Sequence, residues 1–399
     1  MRILMIAPEP FFEPRGTPFS EFHRIRALTQ LGHTVDLVTY PFGRDVSLPG
    51  LRVFRSMRVP FIREIGIGPS WAKVPLDALL ALSVLRRALS GRYDAVHSHE
   101  EGGVIGAIVA LALGRPHLYD MHSSLPQQLV NFDFSRSRLL ATIFRGLERF
   151  MIRRSRVVIV ICPQLLDVVH AVDPNAAAVL IENAPGSGNT PSSGSGQTVR
   201  RALGVGGGTA MILYTGTFEA YQGLDLLFAS MAIVHREKPD ARLVLAGGRP
   251  DQIENARRAS DAVGLRGVVV FAGQRPADEI PAFLDAADVL VSPRSIGTNT
   301  PLKIYQYLRA GRPIVATRLL THTQVLSDEV AFLADATPEA FAAAIGSALD
   351  DPGRAGRTGE RARELAATKY SDEAYIERTR RACALLFGAA DAQVAGGVA

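Results

Sequence analysis

Cysteine is nearly absent from these 399 residues, with Cys162 and Cys383 the only two. Two thiols build neither a disulfide framework nor a four-cysteine zinc site, which fits a reducing compartment. Lysine is almost as scarce, 4 residues against 40 arginines among the 44 basic side chains; with the abundant alanine, this reads as coding composition. No uncharged apolar run exceeds residues 102–114, too short to span a bilayer. Asp-x-Asp occurs nowhere, which argues against a diphosphate held through a metal on a carboxylate pair. The P-loop pattern and the G-x-S-x-G nucleophile elbow are missing too. Residues 1–8 carry one arginine and a brief apolar stretch, followed by Glu9 and Glu13. They read as a first β-strand and not as a signal peptide. The expectation is a cytoplasmic protein, soluble or peripheral on the inner face of the membrane.

Hydrophobic residues make up 47% and charged residues 21%, enough for a sizeable core and too apolar for global disorder. The length suggests two or three domains. The net charge of +5 resides in the first half: residues 1–185 hold 21 basic against 16 acidic side chains, and residues 186–399 hold 23 of each. A basic first half fits phosphates, an anionic membrane or a mildly basic solvated surface; nucleic acid is not expected as a partner. Residues 55–92 place Arg58, Arg63, Trp71, Lys73, Arg86 and Arg87 among Phe, Ile and Leu. They read either as an interfacial patch for an anionic, lipid-linked acceptor or as a packed helix with solvated arginines.

Apolar runs such as ILMIA, VVIVI, MILYT and VLVS suit strands covered on both faces of a parallel sheet. Strands are expected at 2–7, 34–40, 51–55, 95–99, 117–121, 157–162 and 178–182, then at 211–216, 242–247, 268–272, 288–292, 313–317 and 330–334. Helices are expected at 21–31, 139–154, 224–236, 280–287, 302–310 and 339–349. The fold class is α/β, with two Rossmann-like domains facing across a deep cleft. The expected boundaries are a first domain over 1–185, a flexible Gly/Ser-rich linker over 186–208 and a second domain over 209–370. A helix over 371–399 crosses back toward the first domain and ends in a tail.

Such sheets bind ligands outside the carboxyl ends of their strands. Gly16 precedes a helix after the first strand, where close backbone approach and an anion are both accommodated, or it belongs to an ordinary turn. His97 and His99 alternate onto one strand face beside Glu100, without further His or Cys at ligand spacing, so no metal is expected. His122 follows a strand end, either as a donor near a ligand or as a histidine satisfied locally. Gly216 and Thr217 end the first strand of the second half, with Gln222 just ahead of the next helix. Gly247 and Gly248 end its second strand. Arg294, Asn299, Thr300, Pro301 and Lys303 surround a helix start. A lysine there is electrostatically disfavoured unless an anion is bound.

These segments together resemble the family-4 retaining glycosyltransferases with the two-domain B-type fold, over most of residues 1–385. The resemblance is carried by RILMIAP and LGHTVDLVTY, then DAVHSHEEGG, HLYDMHSS, RVVIVICPQL and VLIENAP. In the second half it is carried by ILYTGTFEAYQGLDLLFAS, ARLVLAGG, VVFAGQRPADEIPAFLDAADVLVSPR and PLKIYQYLRAGRPIVAT. It implies metal-independent transfer of a sugar from a nucleotide sugar to a cell-envelope, polysaccharide or lipid-linked acceptor, with retained anomeric configuration. No cofactor is implied; the donor is a substrate, a UDP-sugar first and a GDP-sugar second. The first domain would hold the acceptor and the second the donor. His122 falls where the family contacts the transferred sugar. The chain departs from the pattern where Thr217 and Gln222 stand for the usual Arg and Lys, and Thr298 and Gln306 for the usual Glu pair. Arg294 and Lys303 are the replacement cations, and Gln306 can still hydrogen-bond a hydroxyl. The alternatives are a non-catalytic subunit binding a nucleotide sugar or glycan, and a nucleotide-sugar epimerase.

Overall fold

Strands that are apolar at every position need cover on both faces, and both halves of the chain supply it. A computed structural model describes residues 1–13, 16–62, 65, 70–131, 137–182 and 194–388. The chain divides into two units, Met1–Asn183 with Glu373–Ala399, and Ala184–Asp372.

The first unit runs β1 (Arg2–Ala7), α1 (Gly16–Gln30), β2 (Thr34–Thr39), β3 (Leu51–Arg55), α2 (Lys73–Ser90), β4 (Ala95–His99) and α3 (Gly102–Leu113). It continues with β5 (His117–Met121), α4 (Leu125–Asn131), α5 (Arg138–Arg154), β6 (Val157–Val160), α6 (Pro163–Val172) and β7 (Ala178–Leu180). Its sheet has the order β3-β2-β1-β4-β5-β6-β7, parallel throughout. Leu76, Leu80 and Val84 of α2 pack on one face against Leu4, Ile6 and Val38, and Met151 and Ile152 of α5 pack there against Tyr119 and Met121. Ile25 and Leu28 of α1 cover the other face.

The second unit runs α7 (Ser195–Ala202), β8 (Met211–Gly216), α8 (Leu224–Glu237), β9 (Arg242–Gly247), α9 (Pro250–Ala262), β10 (Val269–Gly273), α10 (Ile280–Ala286) and β11 (Val289–Ser292). It continues with α11 (Leu302–Ala310), β12 (Ile314–Thr317), α12 (Leu320–Thr323), β13 (Phe332–Ala334), α13 (Pro338–Asp350) and α14 (Pro352–Lys369). The sheet order β10-β9-β8-β11-β12-β13 is the doubly wound one, and it is parallel throughout. Strand progression reverses between β1 and β4 in one sheet and between β8 and β11 in the other. At these switch points the chain leaves two adjacent strands in opposite directions and opens a crevice.

The last helix, α15 (Asp372–Phe387), packs within the first unit. Ala382 and Leu386 lie against Ala95, Leu118 and Val157, and Arg378 pairs with Glu182. Arg24 ties this helix in: its Nε donates to Asp120 Oδ2 at 2.8 Å and its Nη1 to Thr379 Oγ1 at 3.1 Å, and its guanidinium lies 4.9 Å from the Tyr375 ring centre.

Several expectations are corrected. Helix α1 begins at Gly16 and not at 21. The stretch 186–208 is only partly a linker. Residues 186–193 lie outside the described residues, and Ser195–Ala202 form α7. Its Val199 and the following Leu203, four residues apart, pack on the sheet core, and Arg200 Nη1 reaches Ala286 O at 2.7 Å. In the basic segment 55–92, Arg63 lies outside the described residues. Arg87 is tied to Asp36 and Tyr93 and Lys73 to Glu101, so only Arg58 and Arg86 of those arginines are plainly exposed. The segment 55–92 contains a packed helix, α2, one of its two readings, and the helices α3, α4, α6, α9, α12 and α14 are present beyond those expected.

Because Arg24 and Asp120 are both almost wholly buried, Arg24→Ala leaves a carboxylate without its counter-charge. It should cost about 3–5 kcal/mol of stability, read as a lower denaturant midpoint. An unchanged midpoint would remove the pair from this role.

Candidate functional site

In the second unit, β8 and β9 end in register with Gly216 opposite Gly247. Gly247 has φ +134, and a Cβ there would lie 1.9 Å from the Gly216 carbonyl oxygen. The two chains therefore part with only backbone between them. Gly223, the N-cap of α8 at φ +75, is pressed so closely to β11's exit that a Cβ would meet Pro293 O at 2.0 Å. Ser295 N donates to Tyr221 O at 3.2 Å. The start of α8 and the loop 293–300 are thus one assembly at the switch point.

Lys303 enters this assembly from the first turn of α11. Its Nζ is buried, has no hydrogen-bond partner, and lies 3.7 Å from the Tyr214 ring centre. It abuts Gly216, where a Cβ would stand 3.3 Å from it. Burial, and after it Arg294, holds this ammonium well below the usual lysine range. The Arg294 guanidinium spans its own loop, donating from Nε to Ile296 O at 2.9 Å and from Nη1 to Asn299 O at 3.0 Å. It faces Tyr221 at 5.0 Å. Gln222 Nε2 reaches Thr217 Oγ1 at 3.5 Å, while Gln222 Oε1 and Thr300 Oγ1 are buried without partners.

Gly216, Thr217, Gln222, Gly247, Arg294, Asn299, Thr300 and Lys303 accordingly gather at one sheet edge. Pro301 is the N-cap of α11. Gln306 is half-buried one turn beyond Lys303. Gly248 faces the Phe218 ring, 2.6 Å from where its Cβ would be. Gly16 belongs to the first unit, opening α1 at φ +55.

The sequence reading missed what holds this loop. Thr317 Oγ1 donates to Arg294 O, Thr321 Oγ1 to Asn299 O and Gln324 Nε2 to Thr298 O, each at 2.6 Å. His322 ties the two strand ends together, with Nε2 2.8 Å from Ser292 Oγ and Nδ1 3.0 Å from Thr317 Oγ1. The only local trace of these ties in the sequence is a polar run, THTQ, separated by three residues from the strand IVAT.

The first unit's switch point has a different chemistry. Asp120, paired with His99 across β4 and β5, accepts from Arg24, and its Oδ1 lies 3.3 Å from His122 Nε2. His99 Nδ1 is 3.2 Å from His122 Nε2, and the rings of His97 and His99 stack at 4.7 Å. His122 Nε2 is thus hydrogen-bonded to His99, with the Asp120 carboxylate beside it. Burial pushes His122 down to about 4, so it is a neutral imidazole at pH 7. Burial works to raise Asp120, but Arg24, with the histidines behind it, holds it well below the usual carboxylate range. Glu21 is buried with neither oxygen hydrogen-bonded, and burial, then Asp120, pushes it well up. Glu100, at φ +46, accepts from Ser123 at 2.9 Å and is likewise raised by burial.

His97, His99 and Asp120 offer three ligand atoms within 4.8 Å of one another. The donor set does not fit a cation, because the Arg24 guanidinium already occupies Asp120 Oδ2 with its own positive charge.

Burial pushes His322 from 6.5 down to about 3. Above pH 6.5 both folded and unfolded forms are neutral, and the contribution of this imidazole is complete. As pH falls from 6.5 toward 3 the unfolded chain takes up the proton first, and that contribution is lost. His322→Gln should lower stability near pH 7 by about 1–3 kcal/mol and flatten the acid side of a Tm–pH curve. The same acid slope in both proteins would contradict the assignment.

Residues 23–184 match the family described as "Glycosyl transferase 4-like domain", and residues 209–351 match "Glycosyl transferases group 1". The chain is 29% identical over 286 residues to the 2-deoxystreptamine N-acetyl-D-glucosaminyltransferase of Streptomyces fradiae, covering 67% of this chain and 65% of that enzyme. It therefore spans just under two thirds of that relative. It is 25% identical to the phosphatidyl-myo-inositol mannosyltransferase of Propionibacterium freudenreichii subsp. shermanii, covering 82% of this chain and 80% of that one. The crystal structure of Anabaena HepE in complex with UDP matches at a TM-score of 0.75 with 16% identity, over 96% of this chain and 100% of that one. The chain belongs to the family-4 glycosyltransferases of the two-domain B-type fold.

Proposed function

We propose that this protein is a retaining, metal-independent glycosyltransferase. It moves a sugar from a nucleotide sugar, a UDP-sugar first and a GDP-sugar second, to a cell-envelope, polysaccharide or lipid-linked acceptor. The observation that carries this reading is the set of buried polar atoms without partners at one sheet edge: Lys303 Nζ, Thr300 Oγ1 and Gln222 Oε1. A buried ammonium without an acceptor is costly unless an anion completes it, and the starts of α8 and α11 add their dipoles to the same seat.

In the reaction the bond between the anomeric carbon and the diphosphate oxygen breaks. Charge grows on the leaving diphosphate, where Lys303 and Arg294 stabilise it. The acceptor oxygen bonds to the same face of the anomeric carbon, and its proton passes to the leaving phosphate oxygen. No dedicated metal carboxylates are needed, because the cations come from side chains. His122, neutral, hydrogen-bonds the transferred sugar. The Anabaena protein was crystallised with UDP and the Propionibacterium relative is named for a phosphatidylinositol acceptor; both support this donor and acceptor class. Among the described residues no helix is long and apolar enough to cross a membrane, and we place the protein in the cytoplasm.

The non-catalytic reading is favoured by one feature, the polar uncharged residues Thr217, Gln222, Thr298 and Gln306 where the family carries charge. Incubation with nucleotide sugars and an acceptor extract separates the readings by product: a new glycoside, an isomerised donor, or binding alone.

Lys303→Ala should weaken UDP binding roughly thirtyfold, the loss of about 2 kcal/mol expected for one charge-assisted contact; unchanged affinity would displace this cation from the seat. His122→Ala should lower kcat about 100-fold or more with UDP affinity intact. Wild-type turnover, or equal loss of binding and rate, would contradict the role given to His122.

A further inference from the structure

We propose that the outer layer of α2, α3 and α5 in the first unit is a docking surface for an anionic lipid membrane. Helix α3 packs between α2 and α5, so the three form one layer over the same sheet face. Helix α2 carries two apolar stripes. Leu76, Leu80, Val84 and Ala88 are buried. On the reverse side Val74, Leu82, Leu85 and Leu89 are exposed, Leu89 by 77%. One buried stripe is all that packing against the sheet requires. Beside it α3 exposes Ile108 and Leu111, and α5 exposes Leu139 and Ile143. Trp71, 74% exposed just before α2, adds an aromatic with a polar edge.

Most of the exposed large hydrophobic side chains described for the whole protein lie in this layer or in the segment leading to it. Scattered exposed apolar residues are ordinary, whereas a contiguous set marks an interaction surface.

The charge on this layer selects the occupant. Helix α5 exposes Arg138, Arg145, Arg149, Arg153 and Arg154, and α2 exposes Arg86. Its carboxylates are turned inward: Glu148 of α5 is buried and accepts Leu125 N at 2.9 Å, Asp77 of α2 is engaged by Tyr40, and α3 has none. A surface of leucine and isoleucine fringed by arginine, with no exposed carboxylate on its helices, matches acyl chains beneath anionic headgroups. It lacks the mixed signs that a protein partner or a second copy would pair. The proposal deepens the lipid-linked reading of the acceptor and rests on it for why a membrane is approached.

The test is co-sedimentation of the full chain with vesicles of phosphatidylcholine alone and of phosphatidylcholine containing phosphatidylglycerol. The chain should sediment with the anionic vesicles, be released by salt, and stay in solution with the neutral ones. Arg145→Gln with Arg149→Gln should weaken partitioning roughly thirtyfold, and Leu85→Asp with Leu89→Asp should abolish it. Both pairs should leave Tm and UDP binding unchanged. A wild-type chain that ignores anionic vesicles overturns the proposal. So does a concentration-dependent dimer without vesicle binding that Leu85→Asp with Leu89→Asp converts to monomer. Sedimentation needs no turnover, so a chain that binds vesicles but transfers no sugar contradicts the transferase reading and leaves this surface standing.

Discussion

A parallel sheet has no solvated face, and that constraint organises both halves of this protein. Strands such as Met211–Gly216 and Val157–Val160 are buried along nearly their whole length. Side chains within the sheets are spent on packing, and chemistry is left to the carboxyl edges. There the backbone must turn, and at the two places where strand progression reverses it turns both ways. Gly216 opposite Gly247 and His99 opposite Asp120 are what each sheet presents at those edges.

The two edges handle charge in opposite ways. In the second unit cations stand without carboxylates: buried Lys303 rests on an aromatic face, and half-buried Arg294 donates from Nε and Nη1 to its own loop's carbonyls. Both are pushed down by burial, so an entering diphosphate supplies the charge that the fold withholds. In the first unit the acids are the buried groups. Burial and mutual repulsion keep Glu21 and Glu100 toward their neutral forms, while Arg24 keeps Asp120 ionised. The neutral imidazoles of His99 and His122 sit beside the one ionised carboxylate, an environment suited to hydroxyl groups.

Much of this was legible from the residues. Consecutive apolar runs located the strands within one or two positions, since burial on both faces leaves no other pattern. Gly216, Gly247, Asn299 and Lys303 stood out because strand-end glycines and a lysine in a first helical turn have few structural uses. The loop clamp was not legible, because Thr317, Thr321 and Gln324 are ordinary polar residues until the fold lays them behind Arg294, Asn299 and Thr298. Helix α14 was missed because its buried face is made of small residues, Ala355, Gly359, Ala362 and Ala366, which carry no hydrophobic period. Helix α2 was one of two readings of the segment 55–92 and lacked bounds, because apolar residues on both of its sides blur that period. The packing of Gly248 against the Phe218 ring was not legible either, since nothing local reveals that Phe218 folds over it.

The central claim is that the carboxyl edge of the second unit is a nucleoside diphosphate seat whose cations are side chains. Calorimetric titration of the full chain with UDP in the presence of EDTA tests it most directly. The account predicts saturable one-site binding that is the same with and without the chelator. No binding, or binding that appears only when a divalent cation is added back, would contradict it.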